Sequence, residues 1–378
     1  MIDRDFYDVN FLDFGLVLLY ILFILMYTRK YNGLQWQIKI LASVIGAVHI
    51  LMSVVNYTIS LGGQSDSKGY FKNSFNSDLF SVLHLGDGVR FISQLIYPFT
   101  NIIGVSYLGS DLIFSALSLL GIYKLYDVSL SVLGGWNKWL LIFLLPSIHF
   151  WTGYIGKDAL VFFAISTFVY NAYFRKNYLH YILAVFLLMF ARFYILTFVS
   201  FAFILTLVFL SNKIKVFLKI LIGILSSVAA IFFIPFFFKV VGIAPGEDIN
   251  KRKELITTSN MEGGSGIDLT DSSFFYKVFS YLFRPYFFEA TSITTLMAAI
   301  ENIIWMILFF LIISNLKKII KGQDTLFWFC IVAFFCIVLP GAFLLSNLGI
   351  ASRVKIQIIP FLFYVFFMMI RRQKSKLI

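Results

Sequence analysis

Apolar runs of helical length recur along this chain, each closed at its ends by a short polar or charged cluster. The runs 14–26, 40–59, 293–313 and 326–345 reach or approach the roughly 20 residues that carry a helix across about 30 Å of hydrocarbon. Inside lipid every backbone N–H and C=O must be paired within the structure, so such runs predict an α-helical bundle. A transmembrane β-barrel would instead show alternating segments of about 10 residues, a pattern this chain lacks. The expected fold is an all-α integral membrane protein with about eleven crossings, near 11–28, 40–59, 107–126, 138–151, 158–174, 179–191, 193–211, 216–236, 293–314, 325–345 and 355–370.

Two of these segments are irregular. The stretch 178–210 has basic flanks at both ends, Arg175 and Lys176 before it and Lys213 and Lys215 after it, so it reads as two crossings meeting near Arg192. That arginine then falls at an outer turn or a water-filled dip. The run 140–151 is too short to span unaided and contains Pro146, with Gly153 just beyond, so it is expected to end partway through the bilayer against protein or a cavity.

Composition agrees with the pattern: 60% of residues are hydrophobic, 46 are Phe and the mean hydropathy is +0.88, outside the usage of soluble domains. Charge then gives an orientation. Arg29, Lys30, Lys39, Lys124, Lys138, Arg175, Lys176, Lys213, Lys215, Lys219, Lys317, Lys318, Lys321, Arg371, Arg372, Lys374 and Lys376 flank the apolar runs on one side, accompanied only by Asp127 and Asp324. By the positive-inside rule that side is cytoplasmic. The acidic start, 1–10, lacks the basic region of a signal peptide and is expected outside, with the C-terminus inside. The net charge of +12 is therefore a topology signal rather than a sign of nucleic acid, and the basic inner face suits anionic membrane lipid.

The expected outer side carries the polar segments of a single transmembrane domain, 1–378. The first, 61–106, begins with a polar loop and continues from residue 90 as an interfacial or re-entrant helix interrupted by Pro98. The second, 240–291, has a charged part (247–254), a glycine-rich part (262–268) and an aromatic part (274–288), and the third, 347–355, is short and basic. Cys330 and Cys336 sit six apart in one apolar run and face different ways, which excludes a disulfide between them. His49, His84, His149 and His180 show no metal-ligand spacing, so no metal and no cofactor is called for.

Ionisable residues at membrane depth or at outer helix ends are the candidates for chemistry. Lys157 and Asp158 follow Pro146, Ser147, His149 and Trp151 where a short helix gives way to the next, and Lys157 stands at a helix N-terminus that favours an anion. Asp158 as a helix cap and Lys157 reaching to lipid headgroups is the structural alternative. The glycine spacing before Lys157 excludes a P-loop. Arg192, embedded in apolar residues, needs an anion, water or a carboxylate such as Asp111, Asp158 or Glu301. Arg353 and Lys355 form another cationic point, and Arg284 combines a guanidinium with Tyr286, Phe287, Phe288 and Glu289, a set able to bind sugars or phosphate or to form an interfacial aromatic belt. Asp66, followed by Tyr70, is placed to take a proton from a sugar hydroxyl or simply to form a turn.

Pro146-Ser147, Phe150-Trp151, Gly156-Lys157-Asp158, Arg192-Phe193-Tyr194, the stretch 66–70 and 347–353 followed by Pro360 resemble bacterial exopolysaccharide and O-antigen polymerases of the Wzy/EpsG type. The resemblance implies an outward-facing cavity like that of GT-C glycosyltransferases. It implies metal-independent transfer of a glycan from undecaprenyl pyrophosphate to a lipid-linked acceptor, with a chain-length regulator as a possible partner. On that pattern Lys157, Arg192 and Arg353 hold the pyrophosphate, and Asp66 or Asp158 activates the acceptor hydroxyl. The large loop lacks the family's Arg-x-x-x-His site, and Asp66 follows the second apolar run rather than the first. Two rival functions stay open: a GT-C transferase using a polyprenyl-phosphate sugar, and a transporter or flippase, which would be expected to carry inverted repeats and charges at the bilayer midplane.

Overall fold

A computed structural model describes residues 8–63, 65–77, 84–175, 177–210, 215–225, 265–320 and 324–374, with isolated positions at 255, 258 and 261. Among the described residues the regular structure is helical, and one isolated bridge, Gly266 to Asn347, is the sole β pairing. The chain divides into two compact units, Met1–Phe193 and Tyr194–Ile378.

The first unit contains α1 (Phe11–Thr28), α2 (Trp36–Leu61), α3 (Asp66–Phe75), α4 (Gly88–Tyr97), α5 (Tyr107–Leu133), α6 (Pro146–Thr152), α7 (Lys157–Phe174) and α8 (Tyr178–Ala191). Helices α5 and α7 are its centre, buried on most sides, with α1 and α2 against α5, and α8 against α7. Their close approach needs Gly121, where a Cβ would come within 3.0 Å of the Phe163 Cα. At one end of the bundle the Asp127 carboxylate of α5 gathers three groups from the last turn of α1 and the residues just after it. Tyr27 donates to it at 2.8 Å, Tyr31 at 2.6 Å, and Lys30 pairs with it while lying 3.5 Å above the Tyr27 ring. Lys30 and Asp127 were both assigned to the inner side from charge, and they do share an end of this unit.

Midway along α2 lies a polar core. The His49 and His149 rings are fully buried, with Nδ1 atoms 3.0 Å apart. His149 Nε2 faces the Phe143 carbonyl at 2.8 Å and so carries a hydrogen. On its other side the His49 ring places Nε2 2.9 Å from Ser118 Oγ and 3.1 Å from the Ser115 carbonyl. Ser53 and Tyr20 extend the network through Ser115 Oγ, at 2.6 and 2.8 Å. Satisfied buried networks of this kind fix one packing of helices that lipid alone would let slide.

The second unit contains α9 (Phe193–Leu205, its first residue belonging to the first unit), α10 (Val216–Leu225), α11 (Phe274–Phe283), α12 (Ile293–Ser314), α13 (Thr325–Phe343), α14 (Leu348–Val354) and α15 (Ile359–Lys374). Helix α15 is its buried axis, packed against α13, while α11 lies on α12 and α13. The two cysteines are free, as their positions on α13 require.

Among the described residues six helices are long and apolar enough to cross a membrane, and a seventh crossing arises if Leu348–Gln357 and Ile359–Arg372, which meet at 60°, act as one broken span. The other four expected crossings differ for separate reasons. Segment 138–151 is a 3-10 turn, Lys138–Leu144, followed by the seven-residue α6 after Pro146, because proline ends one element and opens the next. Helix α7 is less apolar, α8 has 14 residues, and 216–236 is described only as far as residue 225. The expected polar loop 61–89 is also corrected in part: Ser65 caps α3 within it, so Asp66 opens a helix rather than a turn. Residues 90–106 are helical as expected, with α4 running into a π-helical turn, Pro98–Ile103. The charged part of the large loop, 247–254, lies outside the described residues, as do Lys176, Lys213, Lys321 and Lys376.

Replacing His49 by Ala strands His149 Nδ1 and leaves a cavity, so thermal unfolding in detergent is expected to show a loss of about 2–4 kcal/mol. An unchanged midpoint would contradict the role given to the pair.

Candidate functional site

The first unit's site begins with a segment that has little regular structure and many side-chain ties. After α6 the backbone from Gly153 to Gly156 turns before entering α7, whose N-cap, Gly156, supplies no side-chain cap. Four groups from α2 and α5, three of them buried, hold α6 and this turn. Asn56 donates to the Phe150 carbonyl, Ser118 to the Thr152 carbonyl at 2.7 Å, and His49 meets His149. Asp111 Oδ1 accepts the Ile155 N–H at 2.8 Å. Its other oxygen has no partner among the described residues, although the side chain is fully buried. A buried carboxylate spent on one backbone amide is costly, so the position of that turn is tightly specified.

The turn delivers Lys157 and Asp158 to the first turn of α7. Asp158 is fully buried and bonds Arg192 Nη2 at 2.7 Å; the arginine side chain is 11% exposed. Helix α8 ends at Ala191 because Arg192 leaves helical geometry, with φ −149° and ψ 83°. This settles two open points. Of the three acids considered for Arg192, Asp158 is the partner. The N-cap position of α7 is Gly156, and Asp158, two residues on, is paired with the guanidinium.

Lys157 lies beside the same break. A Cβ at Gly88, the first residue of α4, would stand 2.4 Å from the Ala191 carbonyl oxygen and 2.9 Å from the Lys157 Cε, so the three segments meet where only glycine fits. The half-buried Lys157, the ion pair and the start of α7, whose N-cap glycine offers no side chain, then form one constellation. Such an arrangement can receive an oxyanion: the helix end and the ammonium attract it, and the paired carboxylate keeps the guanidinium oriented.

The other expected residues of this unit are set apart on their own elements. Asp66 is exposed in the first turn of α3. Tyr70, expected at substrate, is instead buried at 5% exposure, because it faces inward on α3, where its carbonyl accepts from Ser93 of α4. Trp151 is half-buried on α6, edge-on to Phe150 at 5.0 Å between centroids.

The second unit has its own constellation. Arg284, just after α11, binds Glu289 through two bonds, Nε to Oε2 at 3.1 Å and Nη2 to Oε1 at 2.5 Å, and its guanidinium lies 5.6 Å from the Tyr286 ring centroid. Partial burial opposes the charge, but the bonds from Glu289 outweigh it and hold the guanidinium more firmly protonated than usual. Lys355 is a correction. Read as a cationic point with Arg353 and a candidate for substrate phosphate, it is buried and its three N–H groups are directed at the Leu282 carbonyl (3.2 Å), the Arg284 carbonyl (3.3 Å) and Asn302 Oδ1 (2.9 Å). The open C-terminal carbonyls of α11 demand a cation or donor there, and Asn302 completes the brace by donating to Pro285 O at 3.0 Å. Arg353 is half-exposed near the end of α14, whose N-terminus is fixed by Asn347 and by Ser265, 2.8 Å apart.

Sequence reading passed over Asn56 and Ser118, and weighed Asp111 only as a partner for Arg192. A signal was present: Tyr107, Asp111, Ser115 and Ser118 recur at intervals of four, four and three, which puts polar groups on one face of an apolar helix. Among the described residues no three His, Cys, Asp or Glu side chains gather as metal ligands would.

These features define a helical membrane protein with charged groups held at broken helix ends. No family model matches the chain, and no curated protein or solved structure matches it.

Arg192→Ala leaves the buried Asp158 uncompensated and is expected to cost about 3–5 kcal/mol in thermal unfolding, most of it recovered when Asp158→Asn is added. Strictly additive losses would show that the two do not act as a pair.

Proposed function

We propose that this chain is a glycosyltransferase of the bacterial inner membrane that polymerises saccharide repeat units carried on undecaprenyl pyrophosphate, with its site at the outer face. The observation that carries the reading is the meeting of Lys157, the Asp158–Arg192 pair and the start of α7 at a break between apolar helices. Charge at such a depth is costly and marks function more often than architecture. A pyrophosphate leaving group suits a helix N-terminus flanked by an ammonium and a guanidinium, because negative charge grows on it as the anomeric bond breaks and fixed donors stabilise that growth. In this reading Lys157 contacts the pyrophosphate, Arg192 is oriented by Asp158, and the exposed Asp66 is the candidate base for the acceptor hydroxyl. The basic end marked by Lys30 faces the cytoplasm, and the four shorter segments complete about eleven crossings. The partners are the lipid-linked donor and acceptor, membrane lipid and a chain-length regulator.

A second reading is favoured by one observation, the His49–His149 pair midway along α2, where transporters place ionisable groups. It makes the chain a carrier of lipid-linked glycan. Replacing both histidines by Gln would then abolish transport by proteoliposomes; full transport in that variant would remove this reading.

For the enzyme reading, Lys157→Gln removes the half-buried ammonium and leaves the Asp158–Arg192 pair intact. Polymer synthesis in a strain dependent on this protein is expected to fall about 100-fold, with single lipid-linked repeats accumulating and EDTA without effect. Normal polymer length from the folded variant would contradict the proposal.

A further inference from the structure

Between α3 and α4 the first unit has a cleft of about 420 Å³, lined by Asn73, Asn76, Ser77, Asp87, Arg90 and Ser93. Its walls are rigid. Ser93 hydroxyl contacts the Tyr70 carbonyl at 3.2 Å, Ser74 meets Thr100 at 3.0 Å, and Asn101 donates to the Ser74 carbonyl at 3.2 Å, so α3, α4 and the turn after α4 are tied together. The rim groups, by contrast, are unspent: among the described residues the side-chain amides of Asn73 and Asn76 have no hydrogen-bond partner. The Arg90 guanidinium has only a loose approach to Asp87, at 3.8 Å, where a bond would be shorter. Asp87 Oδ1 accepts the Arg90 N–H as the cap of α4, leaving Oδ2 facing that guanidinium.

The chemistry of these groups is selective. Two amides, hydroxyls, one carboxylate and one guanidinium offer donors and acceptors side by side, the complement of vicinal hydroxyls and of acetamido groups. The single cation is balanced by Asp87, so the cleft has no net charge to recruit a phosphate. A polypeptide would bring apolar side chains, for which the lining supplies one small residue, Val89. The volume fits one or two sugar rings and is within the range of small-ligand sites. Location completes the argument: Gly88, flanked by the cleft residues Asp87 and Val89, is the position against which Lys157 packs. A saccharide in the cleft would adjoin the cationic end of α7.

We infer that the α3–α4 cleft is a subsite for an uncharged saccharide, contacted by Asn73, Asn76, Asp87 and Arg90, next to the anion site at Lys157. This rests on the reading of the protein as a glycosyltransferase and adds to it the place where the glycan is held. It also gives Tyr70 and Ser93 a role as the supports that set the cleft's width.

The test uses the full chain in nanodiscs, with saturation-transfer NMR against maltotriose, diacetylchitobiose, mannobiose, galactobiose and rhamnobiose, and a parallel titration with inorganic pyrophosphate. At least one saccharide is expected to bind, and Asn73→Ala combined with Asn76→Ala is expected to weaken it about tenfold, the loss of one or two hydrogen bonds. Arg90→Gln is expected to act in the same direction. Pyrophosphate affinity should stay unchanged in these rim variants and fall in Lys157→Gln. Because the rim side chains are at the surface, unchanged thermal midpoints confirm folding. Binding by none of the five saccharides, or binding indifferent to the rim substitutions, overturns the subsite. Loss of the Lys157 effect on pyrophosphate instead strikes the glycosyltransferase reading itself, so the two failures are distinct.

Discussion

The burial of Asp158 against Arg192 is the interaction on which the first unit's candidate site depends. Neither charge is tolerable alone in that environment, and together they are held only if the start of α7 and the end of α8 meet in one geometry. The ties from Asn56, Ser118 and Asp111 secure the first of these, and the non-helical Arg192 supplies the second. Glycine at position 88 lets a third element, α4, close against both. Lys157 is thereby presented beside the pair. The site follows from satisfying buried polar groups where the helices break.

The second unit solves a similar problem by the opposite allocation. There the cation nearest the helix end, Lys355, is spent entirely on the carbonyls that close α11 and on Asn302, while Arg284 is neutralised by two bonds from Glu289. A cation with all its donors directed at carbonyls and an amide braces the backbone; an ammonium at a helix N-terminus beside an ion pair stands where an anion would be received. That difference, invisible in a list of charged residues, is why the functional reading leans on Lys157.

Much of the architecture was legible because lipid imposes one rule on every residue of a crossing. The places of α1, α2, α5, α12 and α13 follow from apolar length, although α2 and α5 extend beyond 40–59 and 107–126, and the run 140–151 reads as too short to span. The break at Arg192 was legible from the charges on both flanks. Other features were hidden because they depend on contacts between distant residues. Ser65 and Asp66 open α3 through a cap only one residue long, in a stretch whose polarity reads as loop. Tyr70 reads as an exposed ring beside an acid, yet α3 turns it inward. Lys355 reads as an interfacial cation, and only the arrival of α11 above it shows where its protons go. The histidines, 100 residues apart in the chain, have no spacing that could announce their contact.

The account's central claim is that the constellation at Lys157 holds a pyrophosphate leaving group during glycosyl transfer. The most direct measurement is a reconstituted reaction: full-length protein in liposomes with an undecaprenyl-pyrophosphate-linked repeat unit, following release of undecaprenyl pyrophosphate and glycan length together. The claim predicts one molecule of undecaprenyl pyrophosphate released for each repeat added, and loss of both signals in Lys157→Gln. Lengthening that persists in that variant, or release of the lipid without lengthening, would contradict it.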